Sequence, residues 1–133
     1  MNYILDAWAV VAWTEKENGH LRVNELLEKG RSKEVNLNMS IVNFGEVFYR
    51  TAKRHGIEEA KRVEGILRFL PILIISPVKE TLVMRAAYLK AQHPISYADA
   101  FAAALTEEEK AILVTGDRDF KRIEKKIKIE WLR

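Results

Sequence analysis

YILDAWAVVAW, residues 3–13, decides the fold: three apolar residues, Tyr3, Ile4 and Leu5, stop at an acid, Asp6, and a stretch of helical composition, Ala7 to Trp13, follows at once. Asp6 therefore stands at the carboxyl end of a strand. The same alternation repeats outward along the chain. His20 to Lys29 places Val23, Leu26 and Leu27 on one helical face and stops before Gly30, a suitable cap. Val35 to Met39 is a short β-like run, after which Ser40 is placed to cap a helix over Ile41 to Arg54. Gly56 ends that helix, and Ile57 to Leu70 repeats the pattern up to Pro71, giving a helical hairpin. Leu73 to Ile75 reads as a buried strand, and Val78, Leu82, Ala86 and Leu89 mark a fifth helix. Tyr97 to Glu107 is a sixth. Ala111 to Thr115 is a buried strand, Gly116-Asp117 a turn before a brief helical piece, and Ile127 to Trp131 the last strand. Strands alternating with helices imply parallel pairing through right-handed crossovers, with helices on both faces of the sheet.

Composition agrees with one compact α/β domain over residues 1–133. At 133 residues the chain buries roughly two-thirds of its unfolded surface. Its 48% hydrophobic and 31% charged residues, with only 6 Gly and 3 Pro, exclude disordered and collagen-like chains. With no Cys there is no disulfide framework, thiolate zinc site or cysteine nucleophile, which suits the reducing cytoplasm. The apolar stretches Ala7 to Trp13 and Phe69 to Ile75 fall far short of the roughly 18 residues of a membrane span. An acid directly after the first apolar run does not fit a secretory signal, so export is not expected. The net charge of +3 permits a polyanionic partner without requiring one.

In open parallel α/β sheets, sites form outside the carboxyl ends of the strands. Asp6 ends the first strand, Asp117 follows the fourth, Asp99 lies in the first turn of a helix, and Glu46 lies two turns into the helix after the second strand. Taken singly, each acid has an ordinary role. Asp6 suits a helix cap, and Glu46 suits an exposed pair with Arg50. Ser96 and Asp99 are spaced as a capping box. Asp117 suits a turn, and Asp119 a cap for a helix beginning at Phe120. Jointly, four carboxylates in one crevice repel by roughly 4 kcal/mol per pair at 4 Å and an effective dielectric near 20, so a positive partner is required. An all-oxygen set without Cys or clustered His selects Mg²⁺ or Mn²⁺. Such an ion activates a water and neutralises phosphoryl oxygens, which suits phosphodiester hydrolysis.

Four segments carry a more specific resemblance: Tyr3-Ile4-Leu5-Asp6-Ala7, Ser40-Ile41-Val42-Asn43-Phe44-Gly45-Glu46-Val47, Ile95-Ser96-Tyr97-Ala98-Asp99-Ala100, and Leu113-Val114-Thr115-Gly116-Asp117-Arg118-Asp119-Phe120. In this order, over nearly the whole chain, they resemble the PIN-domain ribonucleases, and among them the VapC-type toxins of type II toxin–antitoxin pairs. The resemblance implies a three-layer α/β/α sandwich around a five-stranded parallel sheet. It implies that Asp6, Glu46, Asp99 and Asp117 are the catalytic quartet that holds the metal, that Thr115 supports them, and that Asp119 is a fifth participant. It further implies a homodimer, a cognate protein antitoxin, and an RNA substrate cut to leave a 5′-phosphate and a 3′-hydroxyl. Trp8 departs from the pattern, since the family often has a small polar residue two positions after the first acid.

The remaining candidates have two readings each. Arg50, Lys53 and Arg54, with Lys61 and Arg62, form either a basic rim for RNA phosphates or a solvated face. Asn43, one turn before Glu46, orients a water, a ligand or a base edge, or makes a local helix-start bond. Trp8 and Trp13 are core or a groove for a partner helix, Trp13 being the better placed for a partner. His20, His55 and His93 lie in separate polar segments and read as surface residues. A haloacid-dehalogenase-like phosphatase is an alternative, but it needs an acid where Trp8 stands. A non-catalytic RNA-binding module on the same scaffold is another.

Overall fold

A computed structural model describes residues 1–133. The elements run β1 (Asn2–Leu5), α1 (Ala7–Thr14), α2 (His20–Arg31), β2 (Asn36–Ser40), α3 (Ile41–His55), α4 (Ile57–Arg68), β3 (Leu73–Ile75), α5 (Glu80–Gln92), α6 (Tyr97–Glu108), β4 (Ile112–Thr115), a 3-10 turn (Arg118–Ile123) and β5 (Lys128–Trp131). The five strands form one parallel sheet in the order β3-β2-β1-β4-β5. β1 lies at its centre, pairing Ile4 with Asn38 on one side and Leu5 with Val114 on the other.

The strand period of two divides the core. Tyr3 and Leu5 of β1 and Val114 of β4 face a cluster containing Val10, Val23, Leu26, Val47 and Val63, from α1 to α4. Ile4 and Leu113, one residue out of phase, face a second cluster with Leu82, Leu89, Phe101, Leu105 and Phe120. Burying both faces of the central strands explains why they read as unbroken apolar runs. The result is the three-layer α/β/α arrangement expected from the alternation of elements.

Two local expectations shift: β3, expected as a buried strand, lies at the sheet edge with Leu73 63% exposed, and the end of α2 moves. α2 does not stop before Gly30 but continues to Arg31. Gly30 is a point of close approach, where an added Cβ would sit 2.9 Å from Leu37 Cδ1, so its small size serves packing against β2. Gly56, by contrast, ends α3 as expected, with φ +96°, and lets α4 start at the next residue. Ser40 caps α3 by accepting from the Val42 N–H at 3.1 Å.

Candidate functional site

The central strands β1 and β4 deliver their acids to the same edge of the sheet. Asp6 follows β1 and is buried; its Oδ1 accepts from the Ala9 N–H at 2.9 Å, capping α1. Its Oδ2 accepts from the Thr115 hydroxyl at 2.6 Å. Thr115, fully buried at the end of β4, in turn accepts from the Asp117 N–H at 3.0 Å. One hydroxyl thus ties the first acid to the loop that carries the fourth. Asp117 caps the 3-10 turn by accepting from the Asp119 N–H at 2.9 Å, so the cap is Asp117 rather than Asp119. Ser96 caps α6 by accepting from the Asp99 N–H at 3.1 Å, leaving the buried Asp99 carboxylate at the cleft.

Carboxylate oxygens of Asp99, Asp117 and Asp119 all lie within 4.8 Å of one another. This trio is the tightest acidic group and includes the expected fifth participant, while Asp6 and Glu46 flank it. Glu46, on α3, is 3.6 Å from the Arg50 Nε and 3.5 Å from the Asn43 Nδ2. No cation pairs with Asp6, Asp99 or Asp117; Asp119 has only a long contact to Arg122 at 3.4 Å. The electrostatic consequence is large. Burial drives the Asp6 carboxyl from 3.8 to about 8 against the lowering effect of its Thr115 and Ala9 hydrogen bonds, with Asp99 and Asp117 adding repulsion. Burial likewise raises Asp99 to about 7, helped by Asp117, Glu46 and Asp119 and opposed by the Ser96 hydroxyl. Such a site favours either protons or a cation. All the donors are hard carboxylate oxygens, no histidine belongs to the group, and a divalent ion of the magnesium or manganese type fits them.

The supporting residues fall into place differently from one another. Asn43 is fully buried and donates to the Ala98 carbonyl at 3.1 Å, so it bridges α3 to α6 rather than making a helix-start bond. Its Oδ1 has no partner. Arg50, Lys53 and Arg54 line one groove of about 750 Å³ with Trp8, Val11, Glu15 and Glu17. Within it the Arg54 guanidinium lies 3.7 and 3.8 Å from Glu15 and Glu17, whereas Lys53 pairs with no carboxylate. Lys61 and Arg62 pair with Glu58 and Glu59 on their own helix. His20 and His55 bond to the Glu17 carbonyl and the Glu15 carboxylate, and His93 is partly buried with an unpartnered Nε2, so it is not a plain surface residue.

Trp8 packs its six-membered ring on Gly116: an added Cβ there would lie 2.3 to 2.7 Å from three of its ring carbons. Neither this contact nor the Thr115 link is visible in local sequence pattern, because each joins β1–α1 to β4 across more than 100 residues. The pairing of a lone Gly after β4 with a Trp just after the first acid is the only trace they leave.

The solved structures with this fold include the VapBC2 complex of Rickettsia felis bound to a fragment of its promoter DNA, at 22% identity, TM-score 0.75 and full coverage of both chains. The DNA-bound VapBC of Salmonella typhimurium matches at 20% identity and TM-score 0.72 over 98% of this chain and 97% of that one. A sarcin-ricin-loop-cleaving VapC toxin of Mycobacterium tuberculosis matches at 17% identity and TM-score 0.71 over 90% and 92%. No curated protein sequence gives a significant match. The PIN domain profile matches residues 3–126, nearly the whole chain and every acid described above, and the chain belongs to the PIN-domain family.

Proposed function

We propose that this chain is a divalent-metal-dependent endoribonuclease and the toxin of a toxin–antitoxin pair, acting as one domain in the cytoplasm. The observation that carries the reading is the Asp99, Asp117 and Asp119 cluster, backed by Asp6 and Glu46: no cation pairs with Asp6, Asp99 or Asp117, and Glu46 and Asp119 have only long contacts to Arg50 and Arg122, at 3.6 and 3.4 Å. Asp6, Glu46, Asp99 and Asp117 are the proposed catalytic acids and would hold Mg²⁺ or Mn²⁺ with Asp119. The ion, when bound, supplies charge to offset the phosphoryl oxygens and to acidify a water. The chain's own part is placement. Thr115 keeps Asp6 ionisable and aimed by donating to Oδ2, and the Asp117 backbone is fixed to the same hydroxyl. Asn43 ties the Glu46 helix to the Asp99 helix at Ala98. Arg50 and Lys53 would receive substrate phosphates.

The relatives that are complexes support a protein antitoxin. An apolar groove of about 410 Å³, lined by Trp13, Leu21, Val63 and Ile66 between α1, α2 and α4, suits an amphipathic segment of it. Met84, Tyr88 and Tyr97, large and exposed on α5 and α6, support a homodimer. No helix is long and apolar enough to cross a membrane.

The test is cleavage of a mixed RNA pool by purified protein. Cutting with Mg²⁺ or Mn²⁺ that stops with chelator, and is lost in Asp99→Asn with the fold intact, is the expected result; undiminished cutting by that variant would falsify the assignment.

A further inference from the structure

Trp8 stands at the very edge of the acidic cluster. It sits two residues after Asp6, and the far edge of its indole lies on Gly116, the residue between Thr115 and Asp117. Yet it is not sealed in the core. It is only partly buried, its Nε1–H donates to nothing in the chain and is open to solvent, and it forms a wall of the groove that also holds Arg50, Lys53 and Thr51. Arg50, on the wall of that groove, lies 3.6 Å from Glu46, so the groove and the acid site share this side chain.

We propose that Trp8 is a specificity residue that stacks a nucleobase of single-stranded RNA flanking the scissile phosphate. This rests on the ribonuclease reading above. Three features favour RNA over a peptide in this groove. A rigid indole braced on a glycine offers a π-surface without the freedom of a mobile side chain. Lys53 supplies a cation not already spent on a carboxylate, next to the Arg50 guanidinium, as tracking a phosphate backbone requires. The volume of about 750 Å³ lies within the roughly 300–1,000 Å³ of clefts that take small ligands. Stacking of this kind tolerates any base and excludes the paired bases of a duplex, so the residue selects unpaired RNA at the cut site.

The probe is pentaadenylate, titrated in chelator so that nothing is cut. The Trp13→Phe/Trp131→Phe protein keeps Trp8 as its one indole among the chain's 3 tryptophans. Its emission should be quenched saturably, with the midpoint given by anisotropy of labelled pentaadenylate. Trp8→Leu, which keeps an apolar cover on Gly116 but has no π-face, should weaken binding by roughly 5- to 100-fold, and Trp8→Phe by much less. Saturating anisotropy with unchanged Trp8 emission, wild-type affinity in a folded Trp8→Leu protein, or no binding of pentaadenylate would each overturn the proposal. If Trp8→Leu does not fold, the quenching result decides. Quenching in a protein that cuts no RNA with Mg²⁺ or Mn²⁺ leaves the stacking site standing and removes the nuclease reading; cutting without quenching does the reverse.

Discussion

Without divalent metal, the folded chain should lose stability as pH rises from 5 to 7, and metal should restore it. In the folded state Asp99 keeps its proton to about 7 and Asp6 to about 8, whereas in the unfolded chain both release it near 3.8. Between these limits the folded state binds more protons than the unfolded state, so the free energy of unfolding falls as pH rises. The stabilisation is fully present below 3.8 and is lost as pH climbs through about 7 and about 8. If the pair together holds one extra proton across two pH units, at about 1.4 kcal/mol per unit, the loss is about 2.7 kcal/mol. That is a large part of a typical total of about 5–15 kcal/mol, and at roughly 3–5 °C per kcal/mol it lowers Tm by about 10 °C.

Circular-dichroism melts at pH 5, 6, 7 and 8 in chelator measure this directly, and the same series with Mn²⁺ should be much flatter because the ion replaces the proton as counter-charge. Asn at position 6 can still accept from Ala9, so the Asp6→Asn/Asp99→Asn protein should fold and its Tm should hardly vary with pH. A wild-type slope as shallow as the variant's would refute the claim that buried, repelling carboxyls make the apo site unstable.

Asp99→Asn or Asp117→Asn should each lower the cleavage rate by roughly 10²–10³-fold, the equivalent of about 3–4 kcal/mol of lost transition-state stabilisation, in a fluorogenic RNA assay with Mn²⁺. Asp119→Asn should cost less, since this carboxylate is exposed and shared with Arg122. Thr115→Val keeps the shape but strips Asp6 of its donor and the Asp117 N–H of its acceptor, both buried or nearly so, and should lower stability by about 1–3 kcal/mol in urea titration. Gly116→Ala places a methyl 2.3 Å from the Trp8 ring and should destabilise by about 1–3 kcal/mol; near-UV circular dichroism should show the indole displaced.

The fold was legible because β1 and β4 are short apolar runs and the helices show their stripe: Val23, Leu26 and Leu27 on α2, and Phe44 on α3, are buried where periodicity places them. The acids were legible for the same reason, since Asp6 and Asp117 adjoin strands whose carboxyl ends must share an edge in a parallel sheet. What periodicity does not encode is register. Leu5 stands beside Val114, and that pairing, more than 100 residues apart, is what puts the Thr115 hydroxyl on Asp6 and Gly116 under Trp8. Asn43 was a candidate, but its partner was not legible for a similar reason, because Ala98 lies on another helix.

The structure also changes how the acids should be weighed. A helix cap and a metal ligand are competing explanations only if they need the same atom. Asp117 gives Oδ1 to the Asp119 N–H, and Asp6 gives Oδ1 to the Ala9 N–H, so in each a second oxygen is left over. For Asp6 that oxygen is held by Thr115; for Asp99, it is the backbone N–H that the Ser96 hydroxyl caps. Capping therefore fixes these side chains at helix starts, where the backbone has already restricted their rotamers, and leaves them preorganised for a cation. The capping reading holds for Asp6 and Asp117, fails for Asp119, and where it holds it is the reason the cluster can exist.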